Sequence, residues 1–156
     1  MNAIILKPAA IDQILQGKRT WELRGLPTKN RGAIALIKGG AARIVGTCQL
    51  VDCVGPLTIE QLQANLDKHQ LPLESLSQPP FPKTYAWVLS EPKPLAEPIT
   101  INNCRGGTWV RLTPQNVPNR LSELEPQPTQ LPPELPKVET TVCCAAEQPQ
   151  PQEVKI

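Results

Sequence analysis

Nine prolines fall in the 44 residues that follow Leu112, spaced by glutamine and glutamate and accompanied by no aromatic side chain. A segment of that composition buries too little apolar surface to offset the entropy of ordering it. Residues 113–156 are therefore expected to form a disordered, partly polyproline-like, acidic tail. Whatever packs must be built from residues 1–112, enough for one domain with one core. Charge divides at the same place. Residues 1–112 carry 13 Lys and Arg against 8 Asp and Glu, whereas residues 113–156 carry 3 against 6. Most of the basic excess lies early, where Lys7, Lys18, Arg19, Arg24, Lys29, Arg31, Lys38 and Arg43 are set against only Asp12, Glu22 and Asp52. Such a field suits a polyanionic partner, although it also serves solubility.

Within the domain, the apolar opening at residues 1–6 reads as a buried strand broken by Lys7-Pro8. Ile11, Ile14 and Leu15 then recur at helical spacing, with Pro8 suited to the first turn and Gly17 to the stop. After Gly17 the period becomes two, which puts Trp21 and Leu23 on one strand face and Thr20, Glu22 and Arg24 on the other. Gly39-Gly40 joins strands at 33–38 and 42–54 as a hairpin, and Gly46 marks a bulge or bend. Thr58 with Gln61 forms a capping box, and Leu57 with Leu62 a staple, for a helix over 57–68. Prolines 72, 79, 80 and 82 imply an extended loop. Further strands are expected at 84–90, 96–101 and 108–112, with Pro98 at an edge or bulge. The sum is a mostly β, α+β domain: a small β-barrel or strongly curved sheet with short helices at its ends.

Five cysteines with no CxxC pair give neither a disulfide framework nor a four-ligand zinc site, so no metal or other cofactor is expected. No leader pattern opens the sequence and no apolar run approaches the ~20 residues that span a bilayer. The expected setting is cytoplasmic, without a membrane partner. His69, the only histidine, lies close to a helix end beside prolines and reads as structural.

The run ILKPAAIDQILQGKRTWELRG resembles the N-terminal signature of the ASCH domain family, a branch of the PUA-like superfamily: a buried strand, a Lys-Pro turn, a short helix and a GxKxxExR motif. Gly17, Glu22 and Arg24 match that motif, and Arg19 stands at its lysine position. Tyr85, Ala86, Trp87 and Leu89 fit the first of the family's closing strands, and Gly107 with Trp109 fits its Gly-x-Trp ending. The resemblance covers residues 2–112. It implies a PUA-like small β-barrel with two or three flanking helices and a cleft lined by the motif. It further implies a nucleic-acid-binding module, with RNA the expected ligand. Some members are ribonucleases, and one group is an amidohydrolase acting on N4-acetylcytidine. That last activity is tied to a lysine and a threonine at motif positions held here by Arg19 and Glu22.

The candidate nucleic-acid-binding residues are therefore Lys7, Arg19, Glu22 and Arg24. Arginine is a good anchor and a poor proton shuttle: its planar guanidinium grips phosphate through paired hydrogen bonds but does not deprotonate near neutral pH. Glu22, beside two arginines, is expected to be held ionised, with a depressed pKa, as an acceptor or as the group that orients Arg24. Glu22 and Lys18 are the candidates for acid–base chemistry if the chain is a hydrolase on RNA or a modified nucleoside. Glu22 and Arg24 also form a natural internal ion pair. A third class of function is a protein-interaction adaptor acting through the proline-rich tail.

Overall fold

The computed structural model describes residues 1–102, 107–117 and 120–124. In chain order the elements are β1 (Asn2–Leu6), α1 (Pro8–Leu15), β2 (Trp21–Arg24), β3 (Gly32–Lys38), β4 (Arg43–Leu57), α2 (Ile59–Gln63), α3 (Leu66–His69), β5 (Thr84–Thr100) and β6 (Trp109–Arg111), with 3-10 turns at Leu73–Ser77 and Leu121–Glu123. The strands form one sheet in the order β2-β5-β4-β3-β1-β6. β1 runs parallel to β3, and every other pairing is antiparallel.

β1 and β3 lie inside the sheet and are covered on both faces, which explains why they read as continuous apolar runs rather than as alternating ones. Ala3, Ala35 and Ile37 pack with Ile44, Ile99, Ile101 and Val110 on one side. Ile4, Leu6, Ile34 and Leu36 pack with Ile11 and Ile14 of α1, and with Leu50, Trp87 and Leu89, on the other. A third cluster joins Leu23 and Ala86 to Leu62 and Leu76, with Trp21, Leu57, Leu66 and Leu71 against it.

The sheet is not closed into a barrel. Its edge strands β2 and β6 have only four and three residues and do not pair with each other. The two ends of the curved sheet instead meet through side chains: the indoles of Trp87 on β5 and Trp109 on β6 stack with centroids 4.9 Å apart. The bend itself needs Gly46, as expected. The β4–β5 register shifts between Ile44 and Gly46. A Cβ at Gly46 would stand 2.6 Å from Leu15 Cδ2 and 2.8 Å from the Lys93 carbonyl oxygen.

Three expected boundaries change. The segments 84–90 and 96–101 are one long strand, β5, because both remain paired with β4 across its register shifts. The helix over 57–68 is two. The capping box is present, with Gln61 N donating to Thr58 Oγ1 at 3.2 Å and Thr58 N to Gln61 Oε1 at 2.9 Å. Asn65 then donates its side-chain amide to the Gln61 carbonyl at 2.8 Å, and α3 starts afresh. The packed chain also continues past Leu112: Val117 and Leu124 are buried on the first sheet face, beside Leu112. A segment poor in aromatics still supplies aliphatic side chains where a sheet face lacks cover. A chain ending at Leu112 is accordingly expected to be about 2 kcal/mol less stable in urea than one ending at Leu124; equal stability would contradict that packing. Residues 125–156, expected to be disordered, lie outside the described residues.

Candidate nucleic-acid interface

Glu22 sits in the middle of β2, directly across from Trp87 on β5, and Arg24 is across from Tyr85. Period-two alternation sends Trp21 and Leu23 into the third cluster, so Glu22 and Arg24 face the other way, into the curve of the sheet above Trp87. Glu22 is only 7% exposed, as deep as many core residues. It survives there because it lies between two guanidinium groups. Arg19 Nη2 donates to its Oε2 at 2.8 Å, and Arg24 Nε lies 3.3 Å from its Oε1.

Both arginines are also tied to the scaffold. Arg19 Nε donates to the Trp21 carbonyl at 3.2 Å, which curls the side chain back over its own strand. Arg24 Nη2 donates to the Ile5 carbonyl on β1 at 3.0 Å, and its Cζ lies 5.6 Å above the Trp87 ring. The internal ion pair read from the sequence is thus present. It leaves Nη1 of each arginine, and the buried Nε of Arg24, without a hydrogen-bond acceptor among the described residues.

Lys7, Arg19, Glu22 and Arg24 line one cleft of about 360 Å³. Its floor is Ile5, Leu6 and Ala10, and its far wall is Leu71, Pro80 and Phe81. Pro80 and Phe81 come from the proline-rich loop, which forms one side of the cleft. Phe81 is seated on Gly25, where an added Cβ would fall 2.9 Å from its ring. The sequence carries no periodic signal for this wall, since neither strand nor helix spacing runs through residues 78–83.

Leu71 is held by His69. The buried ring accepts from Leu71 N through Nδ1 at 3.1 Å, and its Nε2 lies 2.9 Å from the Leu62 carbonyl. With Nδ1 an acceptor, Nε2 must carry the proton and donate. His69 is therefore a strut between α2 and the cleft wall, as its structural reading implied. His69→Ala is expected to cost about 2 kcal/mol in denaturant unfolding, because a buried carbonyl and an amide lose their partner; a loss within experimental error would count against that role.

Lys18 is exposed and outside the cleft lining, with its carbonyl accepting from Gln70 Nε2 at 3.2 Å. Lys7 is exposed at the entrance, immediately before α1. The expectation for Glu22 is corrected in sign. Burial pushes its carboxyl above the usual range, and this outweighs the pull of Arg19 and Arg24 downward. The thiol of Cys48 is raised to about 12 by burial, which removes it as a nucleophile near neutral pH. Cys104, Cys143 and Cys144 lie outside the described residues. Among the described residues no three His, Cys, Asp or Glu side chains gather as metal ligands, and no helix is long and apolar enough to cross a membrane.

The crystal structure of the ASCH protein of Zymomonas mobilis matches this fold with a TM-score of 0.60, over 73% of this chain and 88% of that one, at 19% sequence identity. The chain has the ASCH-domain fold. Crystal structures of two single-residue variants of the same protein, one tyrosine-to-phenylalanine and one serine-to-alanine, match equally at TM-score 0.60 and 20% identity. They cover 72% of this chain and 89% and 87% of theirs. No family model and no curated protein matches the sequence.

Proposed function

We propose that the cleft of this ASCH fold binds single-stranded RNA. In this reading Lys7, Arg19 and Arg24 hold a phosphate or a base edge, while Glu22 fixes the two guanidiniums. The observation that carries the reading is the convergence of those four residues, spread over 18 positions of sequence, on one 360 Å³ cleft. The four side chains sum to two positive charges when Glu22 is ionised, which favours an anion. The size selects among nucleic acids. A volume of that order matches a pocket for one nucleotide and is too narrow to seat a duplex, so the bound base must be unpaired.

The test is titration of the full chain with a short single-stranded RNA. Arg19→Ala and Arg24→Ala are each expected to weaken binding about tenfold, the worth of one charge-assisted contact. Since both arginines also support the fold, Lys7→Ala is the cleaner probe. It removes a cleft charge with no scaffold hydrogen bond among the described residues, and no change in affinity would count against the site.

One observation favours a second reading, a hydrolase acting on RNA or a modified nucleoside. A buried carboxyl whose proton affinity is raised is closer to what acid–base catalysis needs than an ordinary glutamate. Incubation with labelled RNA and with an acylated cytidine decides this. Turnover that Glu22→Gln abolishes would support it, and no turnover on either would reject it.

A further inference from the structure

Two cations stand where folding alone does not need them. Lys38 ends β3 and Arg43 begins β4, and the two are direct cross-strand partners at the hairpin. Like charges directly opposite one another destabilise a strand pair. Among the described residues, no carboxylate lies within 4 Å of either. Gly39, Gly40 and Ala42 of the turn between them line a second hollow of about 240 Å³ together with Ile5, Ile37 and Lys38, and Arg43 stands at its margin as the residue next to Ala42. Gly40 and Ala42 both hold positive φ there, at 82° and 48°, which an alanine rarely adopts. Neither of their amides donates to a backbone carbonyl among the described residues.

This hollow is coupled to the cleft. Ile5 lines both. Leu6 is the register partner of Lys38, and Gly39 N donates to the Leu6 carbonyl at 2.8 Å, so the turn is tied to the residue just before Lys7. Neighbouring strands lie about 4.8 Å apart. Lys7, Lys38 and Arg43 therefore stand at the same end of three adjacent strands, β1, β3 and β4, beside the mouth of the cleft.

We propose that Lys38, Arg43 and the open amides of Gly40 and Ala42 form a second phosphate subsite, which holds the backbone phosphate of the nucleotide next to the one in the cleft. The proposal rests on the RNA reading above and adds to it a minimum ligand: an oligonucleotide rather than a free nucleotide. The arrangement suits a polyanion that follows the row of cations, and the hairpin acts as a clamp on the backbone without reading sequence.

The experiment compares the full chain with its Lys38→Gln/Arg43→Gln variant, each titrated with uridine monophosphate and with a tetrauridylate. Wild type is expected to prefer the tetramer by roughly tenfold or more, and the double variant is expected to lose most of that preference. The slope of log affinity against log salt for the tetramer should also fall by about 0.7, the value for one phosphate contact on a single strand. A tetramer preference and slope equal to those of wild type would overturn the subsite while leaving the cleft reading intact. Failure of wild type to bind either ligand would overturn both. Thermal melts verify that the double variant folds. If it does not, Lys38→Gln and Arg43→Gln are tested singly, each expected to remove part of that slope of about 0.7, and a slope unchanged in both would overturn the subsite.

Discussion

Trp87→Ala is expected to destabilise the protein by about 4 kcal/mol, a large share of the roughly 5–15 kcal/mol that holds a typical domain folded. Trp87 is 1% exposed and joins three parts of the structure. Its ring stacks on Trp109 at 4.9 Å, its Nε1 donates to the Leu26 carbonyl at 3.0 Å, and its upper face lies under the Arg24 guanidinium. Since β2 and β6 do not pair, the indole stack and the hydrogen bond from Arg24 Nη2 to the Ile5 carbonyl link the two ends of the curved sheet. Removing one ring therefore opens a core cavity and loosens the platform on which Glu22 and Arg24 stand. Trp87→Phe keeps a ring for Trp109 but strands the Leu26 carbonyl, so its loss should be intermediate. Urea unfolding measures both. A loss below about 1 kcal/mol for Trp87→Ala would show that the stack does not hold the sheet ends together.

Glu22 gives the second large effect, and it is read best by comparing two variants. Glu22→Ala removes the acceptor of Arg19 Nη2 and the counter-charge of Arg24, and is expected to cost about 3 kcal/mol. Glu22→Gln keeps a carbonyl oxygen in place, so most of that loss should be restored at neutral pH. The remaining difference depends on pH with a definite sign. Burial raises the folded-state pKa of Glu22 above its ordinary value, so the folded protein binds this proton more tightly than the unfolded chain. The resulting stability is fully present below the unfolded pKa, near 4.5, and is lost as pH rises through the folded value. Wild type should accordingly gain stability relative to Glu22→Gln as pH is lowered. The opposite trend would mean that the two arginines outweigh burial.

Much of this arrangement can be read from residue order. The Pro8 start and Gly17 stop of α1, the alternation of Trp21-Glu22-Leu23-Arg24 and the Thr58–Gln61 box are local signals, and local geometry obeys them. The long strand β5 is not legible, because Pro92, Pro94 and Pro98 suggest interruptions. They are tolerated because β2 covers only Tyr85–Val88, so the rest of that edge needs no amide donors for β2. Strand count leaves a barrel and a strongly curved sheet equally open, since closure depends on whether two short edge strands meet; the barrel implied by the family resemblance is the part corrected. The four charged residues of the cleft are visible in sequence as a basic cluster around a motif. The wall of Leu71, Pro80 and Phe81 is not, because it is assembled by tertiary packing from a stretch without periodicity. The sign of the Glu22 shift is hidden for the same reason: its two arginine neighbours are written in the sequence, but its depth is not.

If cleft charges neutralise RNA phosphate as proposed, binding must weaken with salt. Affinity for a short single-stranded RNA should fall linearly in log salt, and Lys7→Ala and Arg19→Ala should each reduce that slope, together by about 0.7, the value for the one phosphate the cleft holds. A wild-type slope near zero, or slopes unchanged by both substitutions, would contradict the assignment of this cleft to RNA.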